Sequence, residues 1–177
     1  MKDENGGLMI RDEIQHVVLG MQINYQGIFN YSDLIVMIDS FFKKRGYTKH
    51  NMGHSESVSD KGRMVKLRLR PFKKVKINKL EVQIWLNITE MKDVTKKVDG
   101  LNLKLNRGKV NCVIDAFVIQ DMRGKWEARA EYTFIRTIFD KFLFKSKTRD
   151  FEGMVKSDAV ELRDEINSFL NLNKFLF

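Results

Sequence analysis

The first third of the chain shows a strand pattern followed by a helix pattern. Residues 14–29 are rich in β-branched and aromatic residues and alternate in their second half, which predicts a strand ending near Gly27. Apolar residues then recur at helical spacing, with Asn30 or Ser32 as the N-cap of a predicted helix. Gly46 suits the left-handed position after its basic last turn. The apolar stripe consists of Leu34, Ile35, Ile38, Phe41 and Phe42.

Further strands are predicted after this helix. Residues 47–54 form a weak strand pattern, and residues 57–62 are typical of a turn. Residues 64–70 alternate between apolar and cationic side chains, and Pro71 ends this strand because proline cannot donate to a β-ladder. Residues 80–88 also alternate, with Leu80, Val82, Ile84, Leu86 and Ile88 on the inner face and Glu81, Gln83, Trp85 and Asn87 on the outer face.

The middle of the chain contains one polar and one apolar segment. Residues 91–107 are polar and irregular, so they predict a connection and not a strand. Residues 110–120 are apolar on both faces, which predicts a strand at the centre of the sheet or covered on both sides. A turn at 122–125 and a further short strand at 126–130 are predicted after it.

The last third of the chain returns to helical spacing. A first, aromatic stripe is formed by Phe134, Ile135, Ile138, Phe139 and Phe142. After a predicted break at residues 146–150, where Thr148 or Asp150 can act as a cap, a second stripe runs from Val155 to Leu170. Because the helices are segregated from the strands, the sequence predicts the α+β class. The expected fold is an antiparallel β meander with one helix inserted after the first strand and two C-terminal helices packed on one face.

Composition supports one globular domain. The chain has 177 residues, of which 43% are hydrophobic and 31% charged, and these values exclude a disordered chain. We expect a mobile N-terminal arm at 1–12 and a single domain at 13–177. One cysteine excludes a disulfide framework and a multi-cysteine zinc site, and with three histidines we expect neither a metal nor a cofactor.

The net charge of the protein is concentrated in one segment. Residues 61–79 contain nine basic residues and no acidic one, and the rest of the chain has 23 of each sign, so this segment accounts for the whole net charge of +9. Such a block favours an anionic partner. The candidate contacts are Arg63, Lys66, Arg68, Arg70, Lys73, Lys74, Lys76 and Lys79, together with Trp85.

A hairpin would bring these cations next to the tryptophan. If the strands at 64–70 and 80–88 pair, then Lys66, Arg68 and Arg70 share a face with Gln83 and Trp85. A row of cations beside an aromatic ring suits phosphates and a stacking base. Two other interpretations are equally physical. The cations can simply solvate the wet face of a sheet, or Trp85 can lie under a helix or carry an arginine side chain on its ring.

Residues capable of catalysis do not form a recognisable set. His50 and His54 are four apart, but they fall in a predicted strand and turn and indicate a pair of surface histidines. Cys112 has apolar neighbours and is predicted to be a buried, inert thiol. No nucleophile elbow, phosphate-binding glycine loop or dinucleotide motif occurs, so we expect a protein that is not an enzyme.

The leading hypothesis is therefore a binding module for a polyanion such as RNA, DNA or a ribonucleoprotein. One alternative is a carrier that holds a small apolar ligand between helices and sheet. Another is a structural or partner protein that oligomerises through its C-terminal helices. In both alternatives the residues concerned are Phe134, Ile138, Phe139 and Phe142. A helix lying on a membrane surface is a weaker possibility.

A cytoplasmic protein is expected, because the sequence shows neither a signal peptide nor an apolar run long enough to span a membrane.

Two segments of the chain resemble a known protein family. They are residues 27–47, including Gly27-Ile28-Phe29 and Arg45-Gly46-Tyr47, and residues 159–170. In these segments the chain resembles a family of small uncharacterised archaeal proteins. The resemblance implies a prokaryotic cytoplasmic origin and transfers no functional residue.

Overall fold

The computed structural model describes residues 13–76, 78–98, 101–120 and 145–176. They form a six-stranded antiparallel sheet and two helices, which confirms the predicted α+β class. Helix α1 (Tyr31–Lys44) follows the first strand, and helix α2 (Lys145–Leu176) lies at the C-terminal end. The strands are β1 (Glu13–Phe29), β2 (Asn51–Ser59), β3 (Gly62–Leu69), β4 (Phe72–Val75), β5 (Asn78–Val98) and β6 (Leu101–Gln120).

The strands are ordered β1-β6-β5-β3-β2, and β4 also pairs with β5. Because β1 pairs with β6 and not with the strand that follows it in the chain, the sheet is not the simple meander that the sequence predicts. Strand β6 lies between β1 and β5, as its apolar character on both faces predicts. Strands β3 and β4 follow one another along β5 and are separated by Pro71, which ends β3 as predicted. The Pro71 carbonyl accepts a hydrogen bond from the Val82 amide (3.0 Å), so the break keeps one contact with β5.

The core lies on one face of the sheet, which we call the inner face. Helix α2 packs against β1, β5 and β6, and α1 contacts α2. The five β5 residues predicted to point inward are all buried there. From α2, the core receives Val155, Ala159, Leu162, Ile166 and Leu170. The opposite face, which we call the outer face, carries the residues of interest below.

Helix α1 has the caps that the sequence predicts. The Asn30 side chain accepts hydrogen bonds from the backbone amides of Ser32 (3.0 Å) and Asp33 (3.3 Å), so Asn30 is the N-cap and Ser32 is not. Gly46 has φ +73°, the left-handed conformation that glycine adopts without strain. Four residues of the predicted stripe are buried: Leu34, Ile38, Phe41 and Phe42.

The strand at 47–54 and the turn at 57–62 were wrongly placed by the sequence pattern. Strand β2 runs through most of the predicted turn, and only residues 60–61 separate it from β3. All nine residues of β2 are exposed. Because neither of its faces is covered, β2 has no alternation of apolar and polar residues, which is the signal used to recognise a strand.

The predicted connection at 91–107 was also wrong. Strand β5 continues to Val98 and β6 begins at Leu101, and the two pair along this whole stretch apart from a bulge between Thr89 and Lys92. Most side chains of this extension are exposed or half-buried, so it lacks the apolar face that marks a strand over the core. The dipeptide Asp99-Gly100, which separates the two strands in the sequence, is typical of a hairpin and was the signal that could have identified the pair.

The described part of the C-terminal third forms one helix, where two were predicted. The predicted break at 146–150 was wrong, because α2 begins at Lys145 and these residues are helical. They contain neither glycine nor proline, so nothing in their backbone opposes a helix. The aromatic stripe at 134–142, the elements at 122–130 and the arm at 1–12 lie outside the described residues. Neither described helix combines the length and the apolar character needed to cross a bilayer.

Candidate functional site

The hairpin of β3 and β5 brings two cations and a tryptophan together on the outer face. In the strand register Lys66 lies opposite Asn87, and Arg68 lies opposite Trp85. Residues directly opposite one another in an antiparallel pair share a face, so all four side chains belong to the outer face. Lys66 is exposed and Trp85 is 42% exposed, so this part of the face is open to solvent.

The Arg68 side chain lies on the indole ring of Trp85. Its guanidinium carbon is 3.8 Å from the ring centroid, a distance at which a cation is attracted by the π-electrons of the ring. Gln83 supports the pair from the next outer-face position along β5. With its amide oxygen facing them, it accepts a hydrogen bond from Trp85 Nε1 and another from Arg68 Nη2 at 3.3 Å. The structure therefore agrees with the interpretation in which an arginine lies on the ring of Trp85.

A groove of about 480 Å³ opens beside this pair. It is lined by three short segments from adjacent strands: residues 53–55 of β2, 66–68 of β3 and 85–87 of β5. The polar side chains on the outer face of this groove include Ser55, Lys66, Arg68 and Asn87, and none of the nine lining residues is Asp or Glu. The groove therefore combines an aromatic platform with positive charge.

Two polar atoms at this groove have no hydrogen-bond partner within the described chain. They are Arg68 Nε and Asn87 Oδ1, and both are buried. Buried polar atoms are almost always paired, so these two atoms are exceptions in the described part of the chain.

A second groove of about 400 Å³ adjoins the first, and the two share Asn87. A row of polar side chains connects them across the sheet. In the register Ser55 lies opposite Lys66, Lys66 opposite Asn87, Asn87 opposite Asn111, and Asn111 opposite Asn24. We call these five residues the polar row. Within it, Asn111 Nδ2 donates to Asn24 Oδ1 at 2.6 Å.

Other cations of the basic block are bound to carboxylates from elsewhere in the chain. Glu81, which is only 3% exposed, accepts hydrogen bonds from Arg70 Nε and Lys79 Nζ, each at 2.7 Å. Arg63 pairs with Glu56 (3.1 Å) and with Asp93 (3.5 Å).

Lys73 takes part in a buried network that the sequence reasoning missed. Its Nζ lies 2.7 Å from Oδ2 of Asp158, and the same oxygen accepts a hydrogen bond from the Tyr47 hydroxyl at 2.7 Å. Burial, followed by this hydrogen bond, raises the pKa of Tyr47. Asp158 also faces Arg45 Nε at 3.4 Å. The position of Asp158 three residues after Val155, on the apolar stripe of α2, was the signal that could have identified it.

The two remaining candidate nucleic-acid contacts lie away from the groove beside Arg68 and Trp85. Lys74 and Lys76 are exposed near the turn between β4 and β5, and no ion pair joins either to another described residue. Lys74 lies opposite Lys79, six positions from Trp85 along β5, or roughly 20 Å. Of the nine predicted nucleic-acid contacts, the structure thus brings only Lys66, Arg68 and Trp85 together in one groove.

The other residues singled out by chemistry occupy ordinary positions. Cys112 is fully buried, as predicted, and burial raises the pKa of its thiol to about 12. His50 and His54 are exposed. Among the described residues there is no group of three or more His, Cys, Asp or Glu that could hold a metal. The apolar candidates Phe134, Ile138, Phe139 and Phe142 lie outside the described residues.

Comparison of the chain with protein-family models and with curated proteins gave no match, so the resemblance to small archaeal proteins stays a prediction.

Proposed function

We propose that the protein binds a polyanion, and specifically a nucleic acid, through the outer face of its sheet. The observation that carries the proposal is the groove in which exposed Lys66 and the stacked Arg68–Trp85 pair lie together without a lining carboxylate. Positive charge next to an aromatic platform is the combination that proteins use to bind phosphate and base together.

Each group in the groove has a chemical role in this proposal. Lys66 offers a mobile point charge for one phosphate. Arg68 is planar and already stacked on Trp85, so a base can continue the stack on its guanidinium, and its Nη atoms can donate to a phosphate. The side-chain amides of Asn87 and Asn111 can donate N–H hydrogen bonds to base edges.

The proposed site is smaller than the basic block. Arg70, Lys73 and Lys79 neutralise the buried carboxylates Glu81 and Asp158, so they stabilise the fold and are not assigned to nucleic acid. Lys74 and Lys76 are assigned an auxiliary role, because a chain bound in the groove would have to extend roughly 20 Å along the sheet to reach them.

Binding of a labelled single-stranded oligonucleotide of mixed sequence, as RNA and as DNA, tests the proposal. The variant Lys66→Ser/Arg68→Ser should bind roughly tenfold or more weakly, since it removes two cations and one layer of the stack. Lys104→Ser is the matched control, because Lys104 is an exposed strand lysine in the β5–β6 extension and does not line either groove. Equal affinity of the double variant and the control would contradict the proposal.

A further inference from the structure

Among the described strands, β2 is one of the two edges of the sheet. It is the last strand in the sheet order, and all nine of its residues are exposed. Edge strands are usually protected by lysine, proline or a central bulge, because their free N–H and C=O groups can pair with another strand. Strand β2 contains neither lysine nor proline, and its one register shift lies at its start, between Asn51 and Gly53.

The sequence of β2 is complementary to itself in the antiparallel direction. If two copies meet with a two-fold axis at Ser55, His54 lies opposite Glu56 of the partner subunit. Two positions from the axis, Gly53 then lies opposite Ser57 of the partner subunit. Next to them, Met52 lies opposite Val58 of the partner subunit. Both of these apolar side chains are exposed in one copy, at 44% and 81%.

Only one centre of symmetry gives this agreement. Glu56 is the one acidic residue of β2, and it also pairs with Arg63 of its own copy (3.1 Å). His54 is the one residue of the strand that can carry a positive charge. A two-fold axis at any other position along β2 places Glu56 opposite an uncharged residue or opposite its own copy. Opposite charges at facing positions stabilise a strand pair, and like charges destabilise it.

We propose that two copies of the protein join β2 to β2 around an axis at Ser55, to form one continuous sheet. The interface is isologous, since the same strand contributes both sides. Strand β1, the edge at the other end of the sheet, is a poorer candidate because its register shifts between His16 and Met21 interrupt the regular spacing of its free backbone groups.

The β2–β2 pairing would also join the proposed nucleic-acid sites of two copies, an inference that rests on the proposed function. Ser55 is also the end of the polar row, so the rows of the two copies would continue one another across the axis. Lys66 and Lys66 of the partner subunit would be three strand spacings apart, or about 14 Å. Two grooves would then face the same side and could hold one strand of nucleic acid.

Disulfide trapping tests the proposed register without any nucleic acid. Ser55→Cys places two thiols at the axis, where facing Cα atoms are about 4.5–5.5 Å apart, a distance that a disulfide spans. Under oxidised glutathione this variant should form a covalent dimer. Ser57→Cys is the matched control, because its two copies would be about 13 Å apart and cannot bridge. The native Cys112 is buried and should not contribute.

A second pair of cysteines checks the same register off the axis. Gly53→Cys alone and Ser57→Cys alone should stay monomeric, whereas the double variant should form dimers through the two equivalent 53–57 contacts. A side chain at Gly53 meets no atom within 4 Å, so the substitution fits the fold. Roughly tenfold more dimer for Ser55→Cys than for Ser57→Cys is expected.

A charge exchange tests the proposed contact between His54 and Glu56 of the partner subunit. Glu56→Lys should reduce the trapping of Ser55→Cys, and adding His54→Glu should restore it, because opposite charges then face each other again. Equal trapping at residues 55 and 57, or no trapping at residue 55, would overturn the proposal. If Ser55→Cys is trapped as a dimer but the wild-type protein does not bind the oligonucleotide, the result counts against the proposed function alone.

Discussion

Asp158 occupies a position where an acidic side chain is costly unless it is neutralised. It is 9% exposed, and it is held by Lys73, Arg45 and the Tyr47 hydroxyl. Lys73 comes from β4, and Arg45 and Tyr47 come from the segment after α1. Because Asp158 itself lies in α2, its carboxylate joins three parts of the chain. Removing one member of a mostly buried ion pair leaves its partner without a counter-charge.

Asp158→Asn should therefore lower the free energy of unfolding by about 3 kcal/mol, as measured by urea denaturation. Glu161→Gln is the control, because Glu161 contacts the same Arg45 but is exposed, so its substitution should have a much smaller effect. Similar decreases for the two variants would show that the Asp158 network does not hold the three segments together.

Cys112 provides a test of burial that depends on pH. Its pKa is raised to about 12 by burial, whereas an unfolded thiol ionises near pH ~8.5. Between these values the unfolded state has released a proton that the folded state keeps, so the free energy of unfolding falls as pH rises. Cys112→Ala should remove this contribution, which is at most about 1.4 kcal/mol per pH unit.

The measurement is the difference between wild type and Cys112→Ala in urea denaturation at several pH values from roughly 8 to 11, so that contributions of tyrosines and lysines cancel. At neutral pH the substitution should cost about 1 kcal/mol, because the alanine packs less well than the thiol. A difference that does not change with pH, or rapid labelling of the native thiol, would contradict the burial of Cys112.

At the scale of elements, the sequence was informative where an element has one buried face. Helix α1, strand β3 and the inner face of β5 were predicted because their apolar residues repeat with the period of the element. The same rule explains the errors. Strand β2 and the β5–β6 extension are paired through their backbones but cover little of the core, so their side chains do not show which structure they adopt.

The N-cap of α1 is a prediction at this scale. Asn30→Ala should cost about 1 kcal/mol, because the side chain accepts hydrogen bonds from two free amides of the first turn. Ser32→Ala should change the free energy of unfolding by only a few tenths of a kcal/mol, since Ser32 is inside the helix and not at its cap. Thermal or urea denaturation of both variants checks this, and the reverse order of effects would contradict the assignment.

At the scale of the whole molecule, the basic block of the sequence does not become a uniformly basic surface. Its cations lie on one stretch of chain, but Glu56, Asp93 and Asp158 reach them from other elements, and Glu81 follows the stretch on the same strand as Lys79. Sequence arithmetic cannot include these partners, because the pairs depend on the strand register and on the position of α2. What the sequence did identify is the neighbourhood of Lys66, Arg68 and Trp85, because that contact follows from simple alternation in a hairpin.

This arrangement determines which variants can test the nucleic-acid hypothesis. A variant that also removes Arg70 would leave Glu81 with Lys79 as its only cationic partner among the described residues, and weaker binding could then reflect a damaged fold. Lys66 and Arg68 form no ion pair within the described chain, so replacing them leaves no buried carboxylate without a counter-charge. Loss of the Arg68 contact with the Trp85 ring should lower the free energy of unfolding by only about 1 kcal/mol.

The salt dependence of oligonucleotide binding tests the central claim most directly. For wild type and for Lys104→Ser, the logarithm of the binding constant should fall linearly with the logarithm of the salt concentration. For Lys66→Ser/Arg68→Ser the slope should be less steep by roughly 0.7 for each phosphate of the single strand that the variant no longer neutralises. The same slope and the same affinity in all three proteins would show that the outer face of the sheet does not bind nucleic acid.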